Sequence, residues 1–270
     1  MKRILLPAVC GLIFAFAGSS ALAAAFAGAA VVPGGITRAA VPLTPQEQSY
    51  ASEGGNGGAS SGVAVLAVPR NFDPAKSWPV LVVFSTSDGR RQDREDLAEF
   101  YMTPALQQNW VLIAGDGPRL PRLDNAAWRV AFTLAAIDAL HHSFPGSQRW
   151  PMACAGFSGG ARRAAFLTPL LANYGCHITG MFLTGIIDDQ ISDGYRKFQP
   201  GPAFLHTPIF ISSGRDDKIA MLSEQQEVKA SAQRTGFTNI RQETFPGPHS
   251  LKLQHFLDAL RWFGQGQTSG

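Results

Sequence analysis

Residues 152–166 read MACAGFSGGARRAAF, an apolar run that leads through a glycine-rich turn into a segment with helical character. The turn carries Ser158 between Gly156 and Gly160, in the pattern Gly-x-Ser-x-Gly. Between a strand and a helix, this pattern is typical of a nucleophilic serine. A sharp turn exposes the hydroxyl, and the glycines let neighbouring backbones approach closely. We therefore predict that Ser158 is a nucleophile, in preference to an idle serine in a glycine-rich turn.

A serine hydroxyl is a weak nucleophile unless a base takes its proton and an acid orients that base. Asp216 and Asp217 follow the penultimate predicted strand, and His249 follows the last one. We predict that His249 is the base and Asp217 the orienting acid, with Asp216 as the alternative acid. The N–H of Gly159 is a candidate donor to an oxyanion, because the first turn of a helix presents unpaired amides.

The rest of the chain alternates short apolar runs with longer amphipathic stretches. The runs at 63–68, 80–84, 111–114, 152–157, 180–186, 209–212 and 240–245 predict strands, and the stretches at 94–108, 125–144, 160–174, 220–235 and 251–263 predict helices. Most runs are apolar on both faces, which is typical of parallel strands covered by helices on each side. The sequence therefore predicts an α/β fold with a mostly parallel central sheet and a ligand site at the carboxyl ends of its strands.

Residues 62–263, with Ser158, Asp217 and His249 in this order, resemble the α/β-hydrolase superfamily, in particular secreted esterases related to polyhydroxybutyrate depolymerases and dienelactone hydrolases. The resemblance implies a serine hydrolase that cleaves carboxylic esters through an acyl-enzyme and needs no cofactor. It also implies a second oxyanion amide from the loop after strand 80–84. That loop lacks the usual His-Gly, and we expect the backbone of Ser85 or Thr86 to supply the amide.

The substrate pocket should be formed by loops at the same edge of the sheet, which include residues 115–124 and 187–207. The short second loop leaves no room for a large cap domain and predicts an open cleft suited to bulky or polymeric esters. Histidine spacing indicates no metal site. A serine peptidase on the same fold and a non-catalytic binding protein are the alternative functions. The candidate pocket residues are Phe157, Arg119, Tyr195 and Phe198.

The N-terminus has the order of a secretory signal. Lys2 and Arg3 precede an apolar run at 4–16, and the small residues Ala21-Leu22-Ala23 follow. We expect residues 1–27 to be a cleaved signal peptide, with the cut between residues 23 and 27, and the protein to be secreted or periplasmic. A retained membrane anchor is the alternative. Residues 28–61 are predicted to be a flexible Gly/Ser/Pro-rich segment, and residues 62–270 the folded domain.

Composition sets outer limits on function. The 270 residues are 45% hydrophobic, enough for one substantial core, and 23 basic against 20 acidic residues give no polyelectrolyte character that would favour nucleic acid. Three cysteines exclude a disulfide-built small fold and a multi-cysteine zinc module. Once the signal is removed, Cys154 and Cys176 remain, and they are either a disulfide or two buried thiols.

Overall fold

The fold is built on an eight-stranded sheet, in a computed structural model that describes residues 24–86, 91–118 and 126–265. In chain order the strands are β1 (Ala25–Phe26), β2 (Ala29–Ala30), β3 (Ile36–Pro42), β4 (Ser61–Ala67), β5 (Val80–Phe84), β6 (Val111–Asp116), β7 (Pro151–Phe157), β8 (His177–Thr184), β9 (Ile209–Gly214) and β10 (Ile240–Phe245). The sheet order is β10-β9-β8-β7-β5-β6-β4-β3. Strands β10, β9, β8, β7, β5 and β6 are all parallel to their neighbours in this order. Strand β4 is antiparallel to both β6 and β3. The predicted α/β class with a mostly parallel sheet is confirmed.

Helices cover both faces of this sheet. They are α1 (Pro45–Glu53), α2 (Asp93–Asp96), α3 (Met102–Gln107), α4 (Ala126–Ser143), α5 (Gly159–Asn173), α6 (Gln190–Phe198), α7 (Leu222–Thr235) and α8 (Leu253–Gly264), with a π-helical segment at Leu97–Tyr101. Side chains alternate along a strand, so Ala64 and Leu66 of β4 pack in one core with α4 and α5. Val65 and Ala67 pack in the opposite core with α3 and α8. This two-sided burial explains why most strands are apolar throughout.

Residues 28–61, predicted to be flexible, are largely ordered, and this prediction was wrong. Strand β3 pairs along its whole length with β4, and α1 packs on α4. Phe26 lies in β1, which pairs with β2 as an N-terminal hairpin, and is fully buried in the core that contains Ala64 and Leu66, here called the main core. The folded unit therefore begins well before residue 62.

Two features of the sequence indicate this ordered region, although its Ala, Gly and Pro content favoured a flexible segment. In β3 the side chains of Thr37, Ala39 and Val41 are buried while those between them are exposed, which is the period-two pattern of an edge strand. Helix α1 begins with a capping box, in which Thr44 accepts from the Glu47 amide and the Glu47 carboxylate accepts from the Thr44 amide. Local capping and tertiary pairing outweigh the flexible composition.

The connection between β8 and β9 is short. It holds α6 and a single 3₁₀ turn at Pro202–His206, so the segment predicted as a loop at 187–207 is mostly helical. Within the part of the chain that the structure describes, no helix combines the length and apolarity needed to cross a bilayer. The predicted signal peptide lies almost entirely outside the described residues.

Cys154 and Cys176 are two free, buried thiols. Cys154 lies inside β7, and burial raises the pKa of each thiol to about 12. The sequence left open either a disulfide or two buried thiols, and the structure contains the two thiols.

Candidate active site

Ser158 occupies a strained turn between β7 and α5. Its backbone has φ 56° and ψ −123°, a region that non-glycine residues rarely adopt, at a cost of about 1–3 kcal/mol. Two glycines make the turn possible. A Cβ on Gly156 would lie 2.1 Å from the Gly160 backbone, and one on Gly160 would lie 2.2 Å from the Phe84 carbonyl. The pattern Gly-x-Ser-x-Gly is therefore required by backbone packing.

The turn presents Ser158 at the N-terminus of a 15-residue helix. Gly159 is the first residue of α5, and both residues line the same cleft. Amides in the first helical turn have no partner within the helix and carry the positive end of its dipole. The Gly159 N–H is thus placed where a negative oxygen formed at Ser158 would be stabilised.

Asp217 follows β9 and is a buried, ionised carboxylate. Its Oδ1 accepts hydrogen bonds from the amides of Ile219 and Ala220, each at 2.8 Å, and its Oδ2 lies 2.7 Å from His249 Nδ1. Burial by itself would raise the pKa of Asp217, but the two amides and His249 together lower it below its ordinary value. The carboxylate can therefore hold the imidazole in one orientation with Nδ1 protonated.

His249 is held on two sides besides its bond to Asp217. The Phe157 ring lies 4.7 Å from the imidazole, centroid to centroid, and Gly185 leaves the space that the other side of the imidazole fills. A Cβ on Gly185 would stand 2.6 Å from His249 Cε1. Among the described residues Nε2 has no hydrogen-bond partner, although it is buried, which leaves this nitrogen available to accept a proton.

The loop that carries His249 is fixed by the residue next to the acid. The Asp216 carboxylate accepts from the Gly247 amide at 2.9 Å, and the Asp216 amide donates to the Gly247 carbonyl at 3.0 Å. Asp216 therefore braces the histidine loop, while Asp217 contacts the imidazole. The structure thus separates the two carboxylates that the sequence left as alternatives.

A cleft of about 200 Å³ opens beside Ser158. It is lined by Gly185, the residue against which His249 packs. One wall is apolar, with Ile187 and Ile219 partly exposed to solvent. The remaining lining residues are Thr86, Gly159 and Arg162, the last held in a two-pronged ion pair with Asp188 at 2.7 Å.

The second predicted oxyanion donor differs from expectation. The Ser85 amide donates to Asp93 Oδ1 at 2.7 Å, away from the cleft, so the expectation for Ser85 was wrong. Thr86 does line the cleft beside Ser158. Burial raises the pKa of Asp96 to about 6, and the Thr86 backbone is among the groups that oppose this rise. Thr86 is the candidate that remains, and its backbone hydrogen bond to the Asp96 carboxylate of α2 must give way before its amide can meet an oxyanion.

Two of the predicted pocket residues lie elsewhere. Tyr195 stacks on Phe204 and Phe198 packs on Phe166, because both residues belong to α6 and face its neighbours. Arg119 lies outside the described residues. Phe157 is at the site, where it supports His249 instead of contacting the cleft.

Arg162, Ile187 and Ile219 line the cleft but were not among the predicted site residues. Arg162 comes one helical turn after Ser158, which was a usable signal because residues four apart share a helix face. A larger cavity, of about 480 Å³, lies between the N-terminal hairpin and α4 and shares no lining residue with the cleft.

No protein-family profile and no curated protein matches this chain. Among solved structures it is similar to vibralactone cyclase, with a TM-score of 0.59 and 12% identity, over 87% of this chain and 81% of that one. An esterase of Pyrococcus furiosus has a TM-score of 0.53 and 15% identity, over 86% and 91%. A ferulic acid esterase has a TM-score of 0.55 and 12% identity, over 84% and 94%. The chain has the α/β-hydrolase fold, and the narrower likeness to depolymerases and dienelactone hydrolases stays a prediction.

Proposed function

We propose that this protein of the α/β-hydrolase fold is a serine hydrolase that cleaves carboxylic esters through an acyl-enzyme on Ser158. The observation that carries the proposal is the buried pair of Asp217 and His249, joined at 2.7 Å, beside the strained turn of Ser158. Esterases among the structural neighbours, with most of both chains aligned, agree with this reaction class.

In the proposed reaction, His249 Nε2 takes the proton of the Ser158 hydroxyl as its oxygen attacks the ester carbonyl. Asp217 stabilises the imidazolium that forms, without itself taking the proton. The Gly159 amide receives the developing oxyanion, and the Thr86 amide joins it once its bond to the Asp96 carboxylate opens. This step requires Nε2 and the hydroxyl to come within about 2.6–3.2 Å, a contact that is often longer in enzymes without substrate.

His249 then gives the proton to the leaving alcohol, and water attacks the acyl-enzyme by the same route to release the acid. The cleft suits an ester with an apolar group, because Ile187 and Ile219 form one wall and stay exposed beside Ser158. With only α6 and a 3₁₀ turn between β8 and β9, no large cap domain is inserted at this connection.

Hydrolysis of p-nitrophenyl acetate and butyrate by the purified protein tests this function. We expect turnover that Ser158→Ala abolishes, while the exposed Ser77→Ala, as the matched control, keeps the wild-type rate. A fluorophosphonate probe should label Ser158. Equal slow turnover by wild type and Ser158→Ala would favour the non-catalytic alternative, and cleavage of peptides but not esters would favour a peptidase.

We also propose that the chain is exported and that its signal is cut after Ala23. A cut there follows Ala21-Leu22-Ala23, whereas a cut after Ala27 would remove Phe26, which is fully buried in the core. Mass spectrometry of the N-terminal peptide of the exported protein tests this. A mature N-terminus other than Ala24 would contradict the position, and a cell-associated full-length chain would contradict export.

A further inference from the structure

A cluster of buried ionisable side chains lies directly behind the loop that follows β5. Arg129 of α4 is 2% exposed, and Asp93 of α2 and Asp116 of β6 are fully buried. The Arg129 guanidinium pairs with the Asp93 carboxylate. Because an unpaired buried charge is very unfavourable, these side chains have little freedom to move apart.

The cluster is bonded to the backbone of the loop. Asp93 Oδ1 accepts from the Ser85 amide at 2.7 Å, and Arg129 donates to Ser85 Oγ at 3.1 Å and to the Thr86 carbonyl at 3.5 Å. Ser85 Oγ in turn donates to the Arg91 carbonyl at 3.2 Å. The position of residues 85–86 is therefore set by side chains from two helices.

A third element fixes the cluster from the other side. The Asp116 carboxylate accepts from the amides of Asp93 and Arg94, at 2.8 and 3.0 Å, at the end of β6. Burial raises the pKa of Asp93, and Arg129 is the largest influence that opposes the rise. Arg129 therefore favours the charged form of the Asp93 carboxyl, whose Oδ1 accepts from the Ser85 amide.

The same loop packs against the turn of Ser158. A Cβ on Gly160 would lie 2.2 Å from the Phe84 carbonyl oxygen and 2.9 Å from the Ser85 carbonyl carbon. Thr86 lines the cleft with Ser158. A shift of the loop would therefore change the distance between Thr86 and the reacting carbonyl.

We propose that Arg129 and Asp93 are positioning residues, which hold the backbone of Ser85 and Thr86 at the distance from Ser158 that oxyanion stabilisation requires. This inference rests on the proposed esterase function. Neither side chain touches the cleft, so they act through the loop. Misplacement of a catalytic group by about 1 Å costs about 10²-fold in rate, which sets the scale of the effect.

The test is Arg129→Lys, which keeps the charge but cannot reproduce the branched set of bonds. We expect kcat to fall by 10- to 100-fold, with KM within twofold of wild type, at a temperature where circular dichroism shows a folded protein. The affinity for an alkyl trifluoromethyl ketone, which adds to the serine as an oxyanion analogue, should fall in parallel. Arg234→Met removes an exposed ion pair with Glu227 and is the control, expected to change neither value.

Ser85→Ala is the second variant, used if Arg129→Lys does not fold. It removes the hydroxyl bonds to Arg129 and to the Arg91 carbonyl and keeps every charge, and we expect kcat to fall three- to tenfold at unchanged KM. A folded variant with kcat and ketone affinity within twofold of wild type would overturn the proposal, as would a change confined to KM. An inactive wild type would instead refute the esterase function. The positioning role fails only if the wild type is active and the folded variants are equally active.

Discussion

Gly185→Ala should inactivate the protein by displacing His249. Its new Cβ would stand 2.6 Å from His249 Cε1 and 3.1 Å from Nδ1, whereas carbon atoms in contact lie about 3.5–4.0 Å apart. The imidazole must therefore move by about 1 Å, and it cannot do so without disturbing the 2.7 Å bond to Asp217. We expect kcat/KM for p-nitrophenyl acetate to fall by about 10²-fold.

The same substitution also strains the backbone, because Gly185 has φ +67°. An L-residue in the left-handed region loses roughly 1–2 kcal/mol, or about 2–8 °C in Tm for a protein of this size. Gly58→Ala separates the two effects, since Gly58 has φ +77° and nothing within 4 Å of a new Cβ. We expect Gly185→Ala to lose at least as much Tm as Gly58→Ala, and only Gly58→Ala to keep full activity. Equal activity of both variants would refute the placement of His249 against Gly185.

Three further predictions concern the acid and the cleft. Asp217→Asn should lower kcat by about three to four powers of ten, whereas Asp216→Asn, which only braces the loop, should cost less than tenfold in the same ester assay. The pKa of Asp217 is lower in the folded than in the unfolded chain, so its stabilising effect is complete above pH 3.8 and is lost as pH falls through the folded-state value. The difference in Tm between wild type and Asp217→Asn should therefore shrink below pH 3.8, and a constant difference would contradict the charge assignment. Ile219→Ser should raise KM for p-nitrophenyl butyrate more than for acetate, and an equal effect on both esters would show that the apolar wall does not bind the acyl chain.

The nucleophile turn could be predicted from sequence because its constraints are local. Ser158 needs glycines at fixed offsets, and the strand before it and the helix after it have distinct periodicities. Asp217 and His249 were found because parallel strands bring their carboxyl ends to one edge, so position along the chain predicts position at the site.

The parts that sequence analysis missed depend on contacts between distant residues. Arg129 meets Asp93 across 36 positions, and nothing near either residue indicates the partner. Tyr195 was assigned to the cleft because residues 187–207 were predicted to be a loop at the carboxyl edge of the sheet. Part of that segment forms α6, in which the Tyr195 ring packs on Phe237. Ser85 was expected to donate to an oxyanion, and its amide is taken by Asp93 instead. In each case a contact between distant residues, which sequence does not show directly, decided the outcome.

The two sulfhydryl groups inside the main core have a practical consequence. With the pKa of Cys154 and Cys176 near 12, almost no thiolate exists at neutral pH, and oxidation or alkylation requires thiolate. Cys154 and Cys176 are both free and form no disulfide with each other. Recombinant protein should therefore reach the same activity in a reducing cytosol as in an oxidising periplasm, and dithiothreitol should leave its melting curve unchanged.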